Sequence, residues 1–191
     1  FLYYFCRYKM KIEKQIVNSE QFGIMIERLA YQLIENHGDF SNTILVGIQP
    51  RGVEFLTRVL EKLNQISDNN IITGNLDITF FRDDFGRRDN PIEAKELEMN
   101  VSVEGKRVVL IDDVLFTGRS IRSAMDALLT FGRPKQVELM VLIDRRLTRH
   151  LPIQPNYIGR TVDTILEEKV IVKWKSSHSL DKIILINSEN G

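Results

Sequence analysis

Two rhythms of apolar residues alternate along the chain. Phe22, Ile26, Leu29, Leu33 and His37 recur at helical spacing, which predicts a helix from Ser19 to about Asn36 with one face turned to a core. Asn18 or Ser19 can cap its start, and Gly38 stops it. Thr43–Ile48 is a short continuous apolar run, the mark of a buried strand, and the loop Gln49–Gly52 follows it. Residues 53–66 return to the helical period, with Phe55, Leu56, Val59, Leu60 and Leu63 on the inner side. Asn75–Phe81 alternates like a half-buried strand and runs into a polar stretch, Arg82–Pro91, with no apolar period. Arg107–Asp113 is a second continuous apolar run, and it ends in two acids. A helix is predicted over 119–131, closed by Gly132 and Pro134, and Val137–Asp144 is another apolar strand ending in charge. Beyond residue 145 the pattern offers short strand-like pieces at 169–174 and 182–187 and few helix signals.

Strands that alternate with helices predict an α/β domain whose central sheet is mostly parallel and joined by right-handed crossovers. No repeat, low-complexity tract or linker divides the chain, so residues 10–191 are expected to form a single domain. Residues 1–9 are apolar but too short to span a bilayer, and they lack the pattern of a signal peptide. They are expected to be a poorly ordered extension without function. Lys plus Arg equals Asp plus Glu, 26 each, so no global field draws the chain to nucleic acid or membrane, and a polyanion site must be local. Cys6 is the one cysteine, which excludes an internal disulfide and suits a cytoplasmic protein.

The chemistry concentrates in Val108–Ser120. A buried strand delivers Asp112 and Asp113 to its carboxyl end, where open α/β sheets bind ligands. Thr117-Gly118-Arg119-Ser120 then offers hydroxyls, a glycine and backbone amides at the start of a helix, the ingredients of a phosphate cradle. Carboxylates repel phosphate, so their presence beside the cradle calls for sugar hydroxyls or a divalent cation such as Mg²⁺ as a further partner. Helix capping, or pairing with Arg119, would suffice to explain a lone pair of acids, but not the whole strand, acid pair, Thr-Gly loop and helix. Neither the G-x-x-x-x-G-K loop nor the G-x-G-x-x-G fingerprint is present.

This segment resembles the motif with which type I phosphoribosyltransferases bind phosphoribosyl diphosphate (PRPP). Further stretches at 44–52, 77–84, 124–128, 132–134, 142–145, 151–153, 157–159 and 168–170 resemble one branch of that family, the bacterial bifunctional pyrimidine operon attenuator and uracil phosphoribosyltransferase. The likeness extends over about residues 18–187 and implies the type I fold, with a lid at about 83–96 and a small hood at about 145–175. It implies transfer of ribose 5-phosphate from PRPP to uracil, giving UMP and diphosphate, with Mg²⁺ as cofactor and a homo-oligomer, dimer or higher, as the assembly. By position, Asp112 and Asp113 would hold the ribose hydroxyls and possible Mg²⁺. The stretch Asp112, Asp113, Val114, Leu115, Phe116, Thr117, Gly118, Arg119 and Ser120 would bind PRPP, its last four residues taking the 5-phosphate. Pro50, Arg51 and Gly52 would face the diphosphate, joined by Arg82 and by Arg87, Arg88 and Lys95 of the lid. Arg145 and the backbone near Val170 would contact the base. His150, His178 and Cys6 have no triad partners and read as surface groups.

The same branch includes regulators of pyrimidine-operon messenger RNA. The first helix carries Glu20, Glu27 and Glu35 against Arg28, and Arg145, Arg146, Arg149 and Arg160 form a local cluster beside His150. The segment Arg146–His150 is one residue longer than in better-known members. With no broad basic face, the expectation is an enzyme first and an RNA binder second. The alternatives are a nucleotide-sensing attenuator with little turnover and a purine-salvage phosphoribosyltransferase.

Overall fold

The computed structural model describes residues 12–83, 101–165 and 167–187. Residues 1–9 and all of the expected lid except Asp83, with Arg87, Arg88 and Lys95, lie outside them. The chain runs β1 (Ile12–Val17), α1 (Ser19–His37), β2 (Thr43–Ile48), α2 (Arg51–Ile66), β3 (Ile72–Leu76), β4 (Arg107–Leu115), α3 (Arg119–Leu128), β5 (Gln136–Asp144), β6 (Tyr157–Thr161), β7 (Glu168–Lys173) and β8 (Lys182–Asn187). Five parallel strands form the main sheet in the order β3-β2-β4-β5-β6, and β1-β8-β7 form a small antiparallel sheet.

Both faces of the main sheet are covered, which is why its central strands read as unbroken apolar runs. One core joins α1 and α2 to the sheet through Leu29, Leu33, Phe55, Val59, Val109, Ile111 and Leu142, and the small sheet closes onto it with Val172 and Ile183. The other packs α3 on the opposite face through Ile121, Ala124 and Leu128 against Val108, Leu110 and Val141. From β2 the chain crosses to β3 on one side, and from β4 it crosses to β5 on the other. The boundary between β2 and β4 is therefore a topological switch point, and the crevice beyond their carboxyl ends is the place for a ligand in such a sheet.

Local chemistry sets the ends of the elements. Asn18 caps α1 reciprocally with Gln21: Gln21 N donates to Asn18 Oδ1 (2.8 Å), and Asn18 N donates to Gln21 Oε1 (3.1 Å). The strand expected over Asn75–Phe81 is displaced, since β3 is Ile72–Leu76 and Thr79–Phe81 is a short 3₁₀ turn. Asp77 is the cause. Its Oδ1 accepts from the amide of Thr79 at 2.8 Å and from its hydroxyl at 2.5 Å, which turns the chain out of the sheet. The helix expected over 119–131 ends at Leu128 and tightens into a 3₁₀ turn at Leu129–Phe131. β1 and β6 had no strand signal in the pattern.

A buried polar network ties the amino-terminal edge of the main sheet to the end of α1. His37 Nδ1 meets Thr43 Oγ1 and its Nε2 meets Tyr157 Oη, both at 3.0 Å. Tyr157 donates to Glu138 Oε2 at 2.6 Å, and Arg107 pairs with Glu138 Oε1 at 2.9 Å. Burial lowers the His37 pKa from its ordinary 6.5, despite the opposing charge of Glu138. Burial alone would raise the Glu138 carboxyl, and the bonds from Tyr157 and Arg107 outweigh it and leave it below its usual range.

Below pH 6.5 the unfolded chain therefore takes up a proton at His37 that the folded chain refuses, and stability falls as the pH drops. The Glu138 contribution is lost lower still, below its unfolded value of 4.5. Thermal melts should show the melting temperature decreasing from pH 7 to pH 5, with the slope reduced in His37→Gln. An unchanged slope in that variant would remove His37 from the account.

Candidate active site

At the carboxyl end of β4 the strand's alternation sends two adjacent acids to different sides. Asp112 faces the α3 side and lines a cavity of about 270 Å³, together with Arg82, Asp83, residues 114–121 and Ser123. Asp113 faces α2, is only 5% exposed, and has its Oδ2 3.8 Å from the Arg51 guanidinium. That oxygen has no hydrogen-bond partner. The one bond between the acids runs from the Asp113 amide to Asp112 Oδ1, 2.9 Å.

Two adjacent carboxyls, Asp113 buried and Asp112 half-buried at the cavity wall, resist ionisation. Burial first, and then the charge of Asp113, push Asp112 up to about 8, although the Asp113 amide and Arg51 and Arg82 oppose the rise. Burial also raises Asp113, against the pull of Arg51. The site thus has a standing deficit of positive charge and of hydrogen-bond donors.

Two helix starts converge on it. α2 begins at Arg51 with Pro50 as its cap residue and no side-chain cap, so its first amides have no partner within the helix or from a cap. Gly52 makes this approach possible: a Cβ there would stand 2.2 Å from the Ile111 carbonyl oxygen. Arg51 itself leaves 59% of its side chain in solvent, ready to reach a ligand. α3 begins after Gly118, whose φ of 90° is the left-handed region, and it too has no side-chain cap. A side chain at Gly118 would also press on Ile153 at 3.1 Å. Thr117, Gly118, Arg119 and Ser120 all line the cavity at the start of α3, the end of a helix that favours an anion. At the rim Arg119 pairs with Asp83 at 2.7 Å, an ion pair that joins the loop to the start of the expected lid.

The structure brings together Asp112, Asp113, Pro50–Gly52, Arg82 and residues 114–120 at this edge. Arg145 and Val170 stand apart from the cavity. Arg145 is 4% exposed, donates from Nε to Thr164 Oγ1 (2.8 Å) and from Nη2 to the Ile165 carbonyl (2.9 Å), and lies 3.9 Å from the centre of the Phe116 ring. Val170 belongs to the core beneath the small sheet. Sequence reasoning missed Asp83, Asp144 and the inward role of Arg149. An acid at the carboxyl end of β5, matching those ending β4, was the available signal for Asp144.

Among the described residues no group of three or more His, Cys, Asp or Glu could enclose a metal ion, and no helix is long and apolar enough to cross a membrane. The acid pair is the donor set available for a cation. Two carboxylates suit an ion such as Mg²⁺ that keeps water and substrate oxygens as its remaining ligands.

Comparison with known proteins agrees with this geometry. The family model described as Phosphoribosyl transferase domain matches residues 13–175. The Bifunctional protein PyrR of Haemophilus ducreyi is 42% identical over 180 residues, covering 94% of this chain and all of that protein. Its namesakes in Enterococcus faecalis and Chloroflexus aurantiacus are 39% and 37% identical, covering 91% of this chain and 96% and 95% of theirs. Among solved structures, a hypoxanthine phosphoribosyltransferase from Trypanosoma cruzi superposes with a TM-score of 0.70 at 15% identity, covering 96% of this chain and 94% of its own. One from Staphylococcus aureus gives 0.66 at 20%, covering 89% and 90%. At such identities these structures establish the fold.

Because the folded pKa of Asp112 lies above its unfolded value of 3.8, its protonation stabilises the fold, and that contribution is lost as pH rises through about 8. Asp112→Asn should consequently melt higher than the native protein at pH 8.5 in the absence of ligand, while its turnover falls on the order of 100-fold or more. Scanning calorimetry beside a rate assay decides this, and a variant that melts lower with native turnover would overturn the assignment.

Proposed function

This chain belongs to the phosphoribosyl transferase family, and from that membership we propose that it joins uracil to the ribose 5-phosphate of PRPP, releasing diphosphate. The observation that carries the reading is the acid pair at the end of β4 standing directly beside the open start of α3. Thr117, Gly118, Arg119 and Ser120 hold the 5-phosphate; Asp112 and Asp113 hold the ribose hydroxyls. Arg51 and the first amides of α2 face the diphosphate, with Arg82 and with Arg87, Arg88 and Lys95 of the lid. Ribose hydroxyls would supply the hydrogen-bond donors, and Mg²⁺ the positive charge, that favour ionisation of the raised carboxyls. Mg²⁺ fits the two carboxylates and, when bound, neutralises diphosphate charge.

Separation of the anomeric carbon from diphosphate leaves a ribosyl group with oxocarbenium character. The cations around the leaving group stabilise the charge that develops there, and the fixed cradle keeps the sugar in line with the base. Closure of the lid excludes water that would capture the cation. The hood of residues 145–175 lies on the base side, where Arg145 supports the ring of Phe116 and the backbone near Val170 reads the base edge.

The name of the relatives, bifunctional, supports a second role as a pyrimidine-dependent regulator that binds messenger RNA. The arginine cluster favours enzyme over RNA binder. Arg146 pairs with Asp163 at 2.9 Å, Arg149 with Asp144, and Arg160 donates to the Ile16 carbonyl at 2.7 Å, so much of its charge is already engaged.

Diphosphate release from PRPP, with uracil and each purine base offered separately, should be fastest with uracil and should stop in excess chelator. Turnover of a purine but not uracil would overturn the base assignment, and full activity in chelator would overturn the metal. In filter binding, a leader transcript should bind weakly with a steep salt dependence. A hairpin-specific, uridylate-dependent tightening would instead establish the regulatory role.

A further inference from the structure

The phosphate cradle is held from behind by one short segment, residues 145–151. The Arg145 amide donates to the Leu115 carbonyl at 3.0 Å. Arg149 Nη1 donates to the Phe116 carbonyl at 2.5 Å. The amides of His150 and Leu151 both donate to the Thr117 carbonyl, at 3.0 and 3.2 Å. Three consecutive carbonyls of the loop are thereby turned toward this segment, which does not line the cavity. In a planar trans peptide the carbonyl of one residue and the amide of the next point in opposite directions. Holding the carbonyls of Phe116 and Thr117 outward therefore aims the amides of Thr117 and Gly118 inward, at the cavity.

Of these contacts, only the one at Phe116 depends on a side chain. Arg149 is fixed for it by a close ion pair with Asp144, at the end of β5, and both side chains are largely buried. Arg145 adds the second hold on the same residue by stacking against the Phe116 ring. We infer that Arg149 is a positioning residue for the transfer reaction: it keeps the Thr117 amide aimed at the 5-phosphate and braces the cradle against the end of the neighbouring strand. Arg149 touches no substrate, and a fork with several donors is needed to meet Asp144 and the Phe116 carbonyl together. The inference rests on the reading of this cavity as the 5-phosphate site.

Ribose 5-phosphate is a suitable probe, since it carries the phosphate and needs no base, metal or turnover. Calorimetric titration of the native protein comes first, and failure to bind would overturn the reading of the cavity and this inference with it. Arg149→Lys keeps the charge beside Asp144 but not the fork, and Arg149→Met removes both. If Arg149 aims the amide, Arg149→Lys should bind ribose 5-phosphate about tenfold more weakly, the loss expected for one charge-assisted hydrogen bond. Steady-state assays should show the KM for PRPP rising by a similar factor while the KM for uracil stays near the native value. Arg149→Met exposes Asp144 to an unpaired burial, so its melting temperature is measured as a control and Arg149→Lys carries the decision. Native affinity for ribose 5-phosphate in a folded Arg149→Lys protein would overturn the inference while leaving the proposed function standing. An equal rise in both KM values would also overturn it, since that marks general loosening of the fold.

Discussion

Two adjacent carboxyls near the end of a central strand, one buried and one lining the cavity, are the constraint on which the rest of this site depends. Neither acid has the partners that a buried charge ordinarily demands: Asp113 has a distant arginine and an orphaned oxygen, and Asp112 has its neighbour's amide. Such an arrangement destabilises the empty protein and persists only where the surrounding structure over-determines it. Here the surroundings are β2 and β5 on either side of β4, with a helix packed on each face. On the proposed reading, ribose hydroxyls and a cation would make up that deficit.

Topology converts that local feature into a binding site. Parallel strands all end at one edge, and each crossover helix begins there, so a doubly covered sheet gathers helix starts at its carboxyl ends. Because the chain leaves β2 and β4 in opposite directions, the starts of α2 and α3 flank the acids from opposite faces. One faces Asp113 and the other surrounds the cavity beside Asp112. On the proposed reading, the start of α3 would take the 5-phosphate and the start of α2 the diphosphate, with the ribose hydroxyls at the acids between them.

How legible this was in the sequence depended on how local each cause is. The buried strands β2, β4 and β5 and the helices α1 and α2 announce themselves through composition and period, because burial on two faces or one leaves a direct trace. The cradle was legible for a similar reason: the acids, Gly118 and the hydroxyls are contiguous. β1 and β6 were not, since a short strand takes its identity from pairing, with β8 or β5, rather than from its own pattern. β3 was misplaced because the side chain of Asp77 overrode the alternation. Arg145 and Arg149 show the limit most clearly. Adjacent charges in a loop read as solvated, and only the positions of Thr164, Ile165, Asp144 and the Phe116 carbonyl draw them inward.

The two edges of the main sheet solve opposite problems with similar residue types. At the amino-terminal edge His37, Thr43, Tyr157, Glu138 and Arg107 bond to one another, with the Arg107 Nε left without a partner, and Arg107 at the start of β4 pairs with Glu138 near the start of β5. At the carboxyl-terminal edge Asp112 and Asp113 lie in the last residues of β4 before Leu115, and the Asp113 Oδ2 is left without a partner. This network links β2, β4, β5 and β6 and favours one register among them, because each contributes a member at its first residues. Fixing the strands at one end constrains where they stop at the other, about one strand length away. The bonded amino-terminal edge therefore helps to hold the acid pair in place, since the strands that carry or flank it are tied together at their beginnings.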